Sequence, residues 1–226
     1  MPIKFSTRAV FTALVAFALT AIAPAWGAVI GVGGATLTPT EASGGIPINS
    51  IDIPFVAPGP TGFSGHLKAT VLANDPTNIY AGNGGLTFVY ELFNTAGATS
   101  LGRMTHNDFS NYVTDVSVPP VATGKVPTSV DRSGPTALDP LGAVLGWTFS
   151  GSGRIATGQN STQLVVQTNA SAFQFATANV IDGSSVAVQT LGPDGPSVVE
   201  PEPATAGVLA FAAAFAIQRR RRNNVV

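Results

Sequence analysis

The chain has 226 residues, no cysteine and a formal charge of −1, with 10% charged and 45% hydrophobic residues. Disulfides and cysteine-based metal or redox sites are therefore excluded, and so is a charge-rich disordered polymer. Gly and Pro contribute 25 and 17 residues, which implies many turns without reaching the fraction of a low-complexity linker.

Lys4 and Arg8 precede an apolar run from Ala9 to Ala23, and Pro24-Ala25-Trp26-Gly27 then breaks it. A basic start, an apolar stretch and small residues at positions 25 and 27 form the pattern of a secretory signal peptide. Residues 1–27 are read as that peptide, delivered to the secretion translocon and cut by signal peptidase between Gly27 and Ala28. A cut after Ala25 is the second choice. An uncleaved anchor fits less well, because the run is shorter than the roughly 20 residues that span a bilayer.

Residues 28–197 have the length of one domain. They hold ten acidic and five basic residues, a formal charge of −5, so the basic footprint of a nucleic-acid binder is missing. The clearest strand signal is LTFVYELF, 86–93, where Leu86, Phe88, Tyr90 and Leu92 alternate with Thr87, Val89, Glu91 and Phe93. A period of two sends successive side chains to opposite faces of a pleat. Similar runs are LKATVL (67–72), NYVTDVSV (111–118), AVLGWTFS (143–150), TQLVVQT (162–168) and SSVAVQTL (184–191). Leu145, Trp147 and Phe149 share one face and form a core stripe. Turn formers separate these runs, among them Asn74-Asp75-Pro76, Pro119-Pro120, Gly151-Ser152-Gly153 and Asp182-Gly183-Ser184. Short strands between such turns predict an all-β antiparallel β-sandwich of roughly eight to ten strands, with a jelly-roll connection as one alternative.

Residues suited to catalysis are few. His66 and His106 are both expected at turns or strand ends, as surface side chains. Gly62-Phe63-Ser64-Gly65-His66 approaches the hydrolase elbow G-x-S-x-G but has His66 in place of the last glycine, and no helix is readable after it. His106-Asn107-Asp108 is read as a turn. Asp75, Asp108, Asp131, Asp139 and Asp182 are spread singly, with no EF-hand spacing, so a calcium site would need loops to converge in space. Gly31-Val32-Gly33-Gly34 lacks the helix and Lys-Ser/Thr of a phosphate loop. A hydrolase would need paired carboxylates in a cleft, such as Glu91 with a loop aspartate. No catalytic residue, metal ligand or cofactor is assigned. For carbohydrate, the aromatic surfaces on offer are Trp147, Tyr80, Tyr90 and Tyr112, of which Trp147 and Tyr90 read as core. Sequons at Asn160 and Asn169 are ascribed to composition.

Residues 198–226 form a separate ending. Pro201-Glu202-Pro203 resists helix interior, Ala204 to Ile217 carries no charge, and Arg219, Arg220, Arg221 and Arg222 follow. As a helix the apolar piece spans about 21 Å against a hydrocarbon core of about 30 Å, so it is a marginal membrane anchor. The four arginines favour the cytoplasmic side.

A signal peptide followed at the far end by Pro-Glu-Pro, an apolar helix and an arginine cluster resembles the PEP-CTERM sorting signal of Gram-negative bacteria. The succession LTFVYELF, SLGRMTHNDF, VTDVSV, VDRSG, GWTF, LVVQTNAS and NVIDGSSVAV is also similar in order to exported proteins of that group. The resemblance implies processing by an exosortase-type enzyme that reads Pro201, Glu202 and Pro203. It also implies an inner-membrane intermediate held by the C-terminal hydrophobic helix, and a final place at the cell surface or outside. The function it implies is non-enzymatic: an envelope or extracellular-matrix protein associated with exopolysaccharide and biofilm. A carbohydrate-binding module anchored at the envelope is the alternative.

Overall fold

A computed structural model describes residues 27–59, 62–136 and 141–194. The strands, in chain order, are β1 (Ala28–Val29), β2 (Ala35–Thr36), β3 (Ile46–Val56), β4 (Phe63–Ala73), β5 (Thr87–Gly97), β6 (Arg103–His106), β7 (Thr114–Ser117), β8 (Ser129–Arg132), β9 (Leu145–Thr148), β10 (Gln159–Asn160), β11 (Leu164–Thr168), β12 (Ala172–Asp182) and β13 (Ser184–Asp194). The first sheet runs β1-β7-β11-β5-β4-β3, with β10 also on β5, and the second runs β13-β12-β6-β9-β8-β2. Every ladder is antiparallel. The strand number exceeds the expected eight to ten because β1, β2, β6, β8 and β10 have only two to four residues each and carry too little pattern to read.

The alternation read in 86–93 holds for the core: Leu86, Phe88, Tyr90 and Leu92 join the main cluster, whereas Val89, also buried, belongs to a separate one. Leu145, Trp147 and Phe149 likewise share the interior. Side chains of both sheets meet in one apolar cluster that includes Leu67, Phe88 and Tyr90 from the first and Met104, Trp147 and Val180 from the second. Ring centroids of Tyr90 and Trp147 lie 6.0 Å apart. The Tyr90 hydroxyl donates across the gap to the Leu191 carbonyl at 2.8 Å. Burying each large apolar side chain contributes about 1.5–3 kcal/mol, and Trp147, Phe88 and Leu67 are wholly enclosed.

Two long strands escaped the sequence reading. β3 contains Pro47 and Pro54, which argue against a strand until its place is known: it is the terminal strand of its sheet, where proline is tolerated. Its register also slips between Pro47 and Asn49, and Ile51, Ile53 and Phe55 still reach the core. β12 presents Ala176, Ala178 and Val180 inward, and alanine gives little strand signal. Its hairpin with β13 turns at Gly183, whose φ of 67° suits glycine, at the Asp182-Gly183-Ser184 turn expected from sequence.

Arg132 joins the sheets. Its buried guanidinium donates to the carbonyls of Gly142 (2.8 Å), Phe109 (2.7 Å) and Ile30 (3.2 Å) and to the Thr114 hydroxyl (3.1 Å). On the outer side of the second sheet Arg103 grips Asp131 with both nitrogens, at 2.8 and 2.7 Å, and reaches the Thr148 hydroxyl. A Cβ at Gly146 would lie 2.1 Å from the Arg103 nitrogen, so only glycine leaves that pair its space. Among the described residues no helix is long and apolar enough to cross a membrane. The predicted C-terminal helix lies outside them.

Candidate functional site: the outer face of the first sheet

Inward Leu67, Ala69 and Val71 oblige the intervening residues of β4 to point outward, and the same holds on β3 and β5. The antiparallel register then builds rows across three strands. Asp52, Lys68 and Glu91 form one row, Ser50, Thr70 and Val89 the next, and Pro54, His66 and Phe93 a third. Between the middle rows and the segment at Ser43 lies a groove of about 340 Å³ lined by Ser50, Lys68, Thr70, Glu91 and Gln163, with Leu72 and Val89 at its floor. Ser50 and Thr70 hydroxyls share a hydrogen bond of 3.0 Å. The Asn160 amide donates to Glu91 Oε1 at 2.8 Å and holds that carboxylate at the edge. Leu72, Val89 and Val165 form a small apolar cluster of their own. The groove therefore offers hydroxyls, an amide, an ammonium and a carboxylate above an apolar base.

At one end of this face His66 Nδ1 pairs with Asp52 Oδ1 at 2.6 Å, and its ring stacks on Phe93 with centroids 4.2 Å apart and planes 10° from parallel. His66 lies within β4, not at a turn, which corrects the expectation from sequence. His106 departs further from expectation. It ends β6 but is wholly buried, against Tyr90 and Phe109, with Nε2 3.0 Å from the Leu191 carbonyl and Nδ1 against the Asn107 carbonyl. Burial lowers its pKa from 6.5 to about 4, outweighing both carbonyl contacts and the charge of Asp108. A neutral imidazole that fills the interior is a core side chain.

The aromatic surfaces considered for sugar binding are mostly enclosed: Trp147, Tyr90 and Tyr112 are buried, the last two with hydroxyl pKa values raised by that burial. Ser64 is followed by continuous strand to Ala73, so the hydrolase elbow has no strand-to-helix turn. Glu91 lines the groove and Asp52 stands two strands away with Lys68 between them. The face is an open sheet surface, whereas glycoside hydrolysis uses carboxyl groups flanking the scissile bond. Among the described residues the aspartates expected in loops do not converge. Asp75 Oδ1 accepts from Gly44 and from the amide and hydroxyl of Thr77, Asp131 binds Arg103, and Asp182 binds Arg154. Asp139 lies outside the described residues. Among the described residues no group of three or more His, Cys, Asp or Glu is placed to hold a metal ion.

Pro201, Glu202, Pro203 and Arg219, Arg220, Arg221 and Arg222 lie outside the described residues. Gly27 and Ala28 do not. Ala28 opens β1 opposite Val116, and the Gly27 amide donates to Glu41 Oε2 at 2.8 Å. Asp115, read from sequence only as part of a strand, is nearly buried beside that amide, and its pKa is raised to about 6 by burial and by the Glu41 charge. Nothing in the sequence announced this pairing, since Glu41 is brought beside Asp115 by the Thr40–Val118 bridge and by its own amide bond to the Val118 carbonyl. No family model, curated protein or solved structure matches the chain.

Proposed function

We propose that this is an exported protein of the cell envelope or extracellular matrix whose role is to bind, not to catalyse, and that the outer face of β3, β4 and β5 holds polysaccharide. The observation that carries the binding role is the groove of about 340 Å³ beside the Asp52-Lys68-Glu91 row. Its hydroxyl, amide and charged groups match the alternating hydroxyls and apolar ring faces of a sugar chain, and Phe93 under His66 extends the same surface. We read the two sheets as a sandwich in which the chain crosses between sheets after β1, β2, β5, β6, β7, β9 and β11, in the manner of a jelly roll.

Export rests on the leader pattern of residues 1–27, and retention on Pro201-Glu202-Pro203 with Arg219 to Arg222. On this reading the tail pauses in the inner membrane, an exosortase-type enzyme processes it, and the domain ends at the surface or outside. Glycan-array binding of the exported protein tests the face: Lys68→Ala with Gln163→Ala should weaken retention on polysaccharide at least tenfold while leaving the melting temperature in place. Equal retention by that variant would exclude the groove. Replacing Pro201, Glu202 and Pro203 by alanine should leave the tail attached by intact mass, and an unchanged processing pattern would count against the sorting role.

A further inference from the structure

Glu41 and Asp115 lie together at the start of the folded domain. Glu41 Oε2 accepts the Gly27 amide at 2.8 Å. Asp115 is 5% exposed, and its Oδ1 is buried without a hydrogen-bond partner. That atom is aimed at Gly27, because a Cβ built there would lie 2.1 Å from Asp115 Oδ1 and 3.0 Å from Glu41 Oε2. The one amide N–H at this point serves Glu41 and leaves Asp115 Oδ1 without a donor. An isolated charge shielded from water is costly unless paired, and among the described residues no Lys or Arg forms an ion pair with Glu41 or Asp115.

The backbone supplies it one residue later. Ile30 donates to the Thr114 carbonyl at 2.9 Å, and antiparallel alternation places Ala28 in the same hydrogen-bonded register with Val116. The Ala28 nitrogen is therefore held on β7 beside the Gly27 position. As a chain terminus it carries three N–H donors and a positive charge. One donor would serve the Val116 carbonyl, leaving two for the carboxylates.

We propose that Glu41 and Asp115 form the seat of the α-ammonium group created when the leader is cut between Gly27 and Ala28, so that proteolysis completes an ion-paired site that the uncut chain leaves unmatched. This inference rests on the leader reading above. Hydrolysis of the Gly27–Ala28 amide takes up one water, leaves the carboxylate on the departing peptide and frees the amine on the domain, where it is protonated at neutral pH. Burial raises the Glu41 pKa against the opposing Gly27 amide, and the charge of Asp75 in the turn after β4 adds to the rise. Arg132 lies nearby on Ile30 and Thr114, with its donors directed to their oxygens. In a chain retaining Gly27 the raised pKa of Asp115 opposes folding above about pH 6, and this opposition disappears as pH falls toward 3.8. The ammonium removes it at neutral pH.

Three measurements on the exported protein test the proposal. Intact mass and amino-terminal sequencing should show a start at Ala28, and a start elsewhere would sink the cut and with it the seat. With Ala28 first, the α-amine, followed by pH-dependent reductive methylation, should titrate near pH 9 in place of the ordinary value of about 8. Asp115→Asn and Glu41→Gln should each return it to the ordinary value. An ordinary titration in the unaltered protein would overturn the capture while leaving the processing intact. Gly27→Ala separates the two further: a mature protein of unchanged mass and melting temperature is expected, whereas one that is heavier by a methylene and less stable would show that residue 27 remains in the domain. Calcium should not move the melting temperature, and a saturable rise lost in Asp115→Asn would give the carboxylates to a metal instead.

Discussion

His106 lies between the sheets and His66 on the outer face of the first sheet, and the two show what each region demands. Inside, His106 is enclosed by Tyr90, Phe109 and backbone carbonyls, and its charge is driven off because the loss of water outweighs the two carbonyl contacts. Outside, His66 keeps partial access to solvent, pairs with Asp52 at 2.6 Å and rests on Phe93. The same residue type serves as shape in one place and as a polar contact in the other. The interior therefore carries stability, and the outer face is free to carry recognition.

The comparison breaks most visibly at Trp147. Its wholly buried indole spans the space next to Tyr90, so Trp147→Ala should cost about 3–5 kcal/mol in chemical denaturation. Arg132→Met should cost about 3 kcal/mol in the same measurement, because several buried oxygens lose a charged donor at once. His106 contributes to the acid limb. The unfolded chain takes up its proton near pH 6.5 and the folded chain near 4, so stability is intact above 6.5 and falls as pH drops through that window, by about 3 kcal/mol. His106→Gln should flatten that limb of the pH–stability curve, and an unchanged limb would place the titrating group elsewhere. On the outer face effects on stability should be small. Asp52→Asn removes a partly exposed pair and should change unfolding free energy by at most about 1 kcal/mol. A larger loss there would mean that the outer face, too, is structural.

Alternation in LTFVYELF and the stripe Leu145, Trp147, Phe149 announced the core correctly, since burial on one side of a pleat leaves a period of two in the chain. β3 was hidden by its prolines and β12 by its alanines, whose acceptability depends on an edge position and on close facing neighbours. Neither condition is local. The candidate groove was legible only in pieces: Glu91 and Lys68 are visible as charges within strand runs, but their alignment with Asp52 is a matter of register. His66 and His106 looked alike in sequence because isolated histidines flanked by polar residues carry no mark of depth.

By itself the sequence determined that the chain is cysteine-free and turn-rich, that its middle is built of strands, and which residues of its clearest strands turn inward. Composition and periodicity are properties of neighbours along the chain, so they survive without a fold. Tertiary structure alone decided that Glu41 and Asp115 converge on Gly27, that Asp52, Lys68 and Glu91 stand in one row, and that one histidine is dry while the other is wet. Those are distances and depths between segments far apart in sequence, and they come into being only when hydrogen-bonded register and the enclosure of the core set the strands in place.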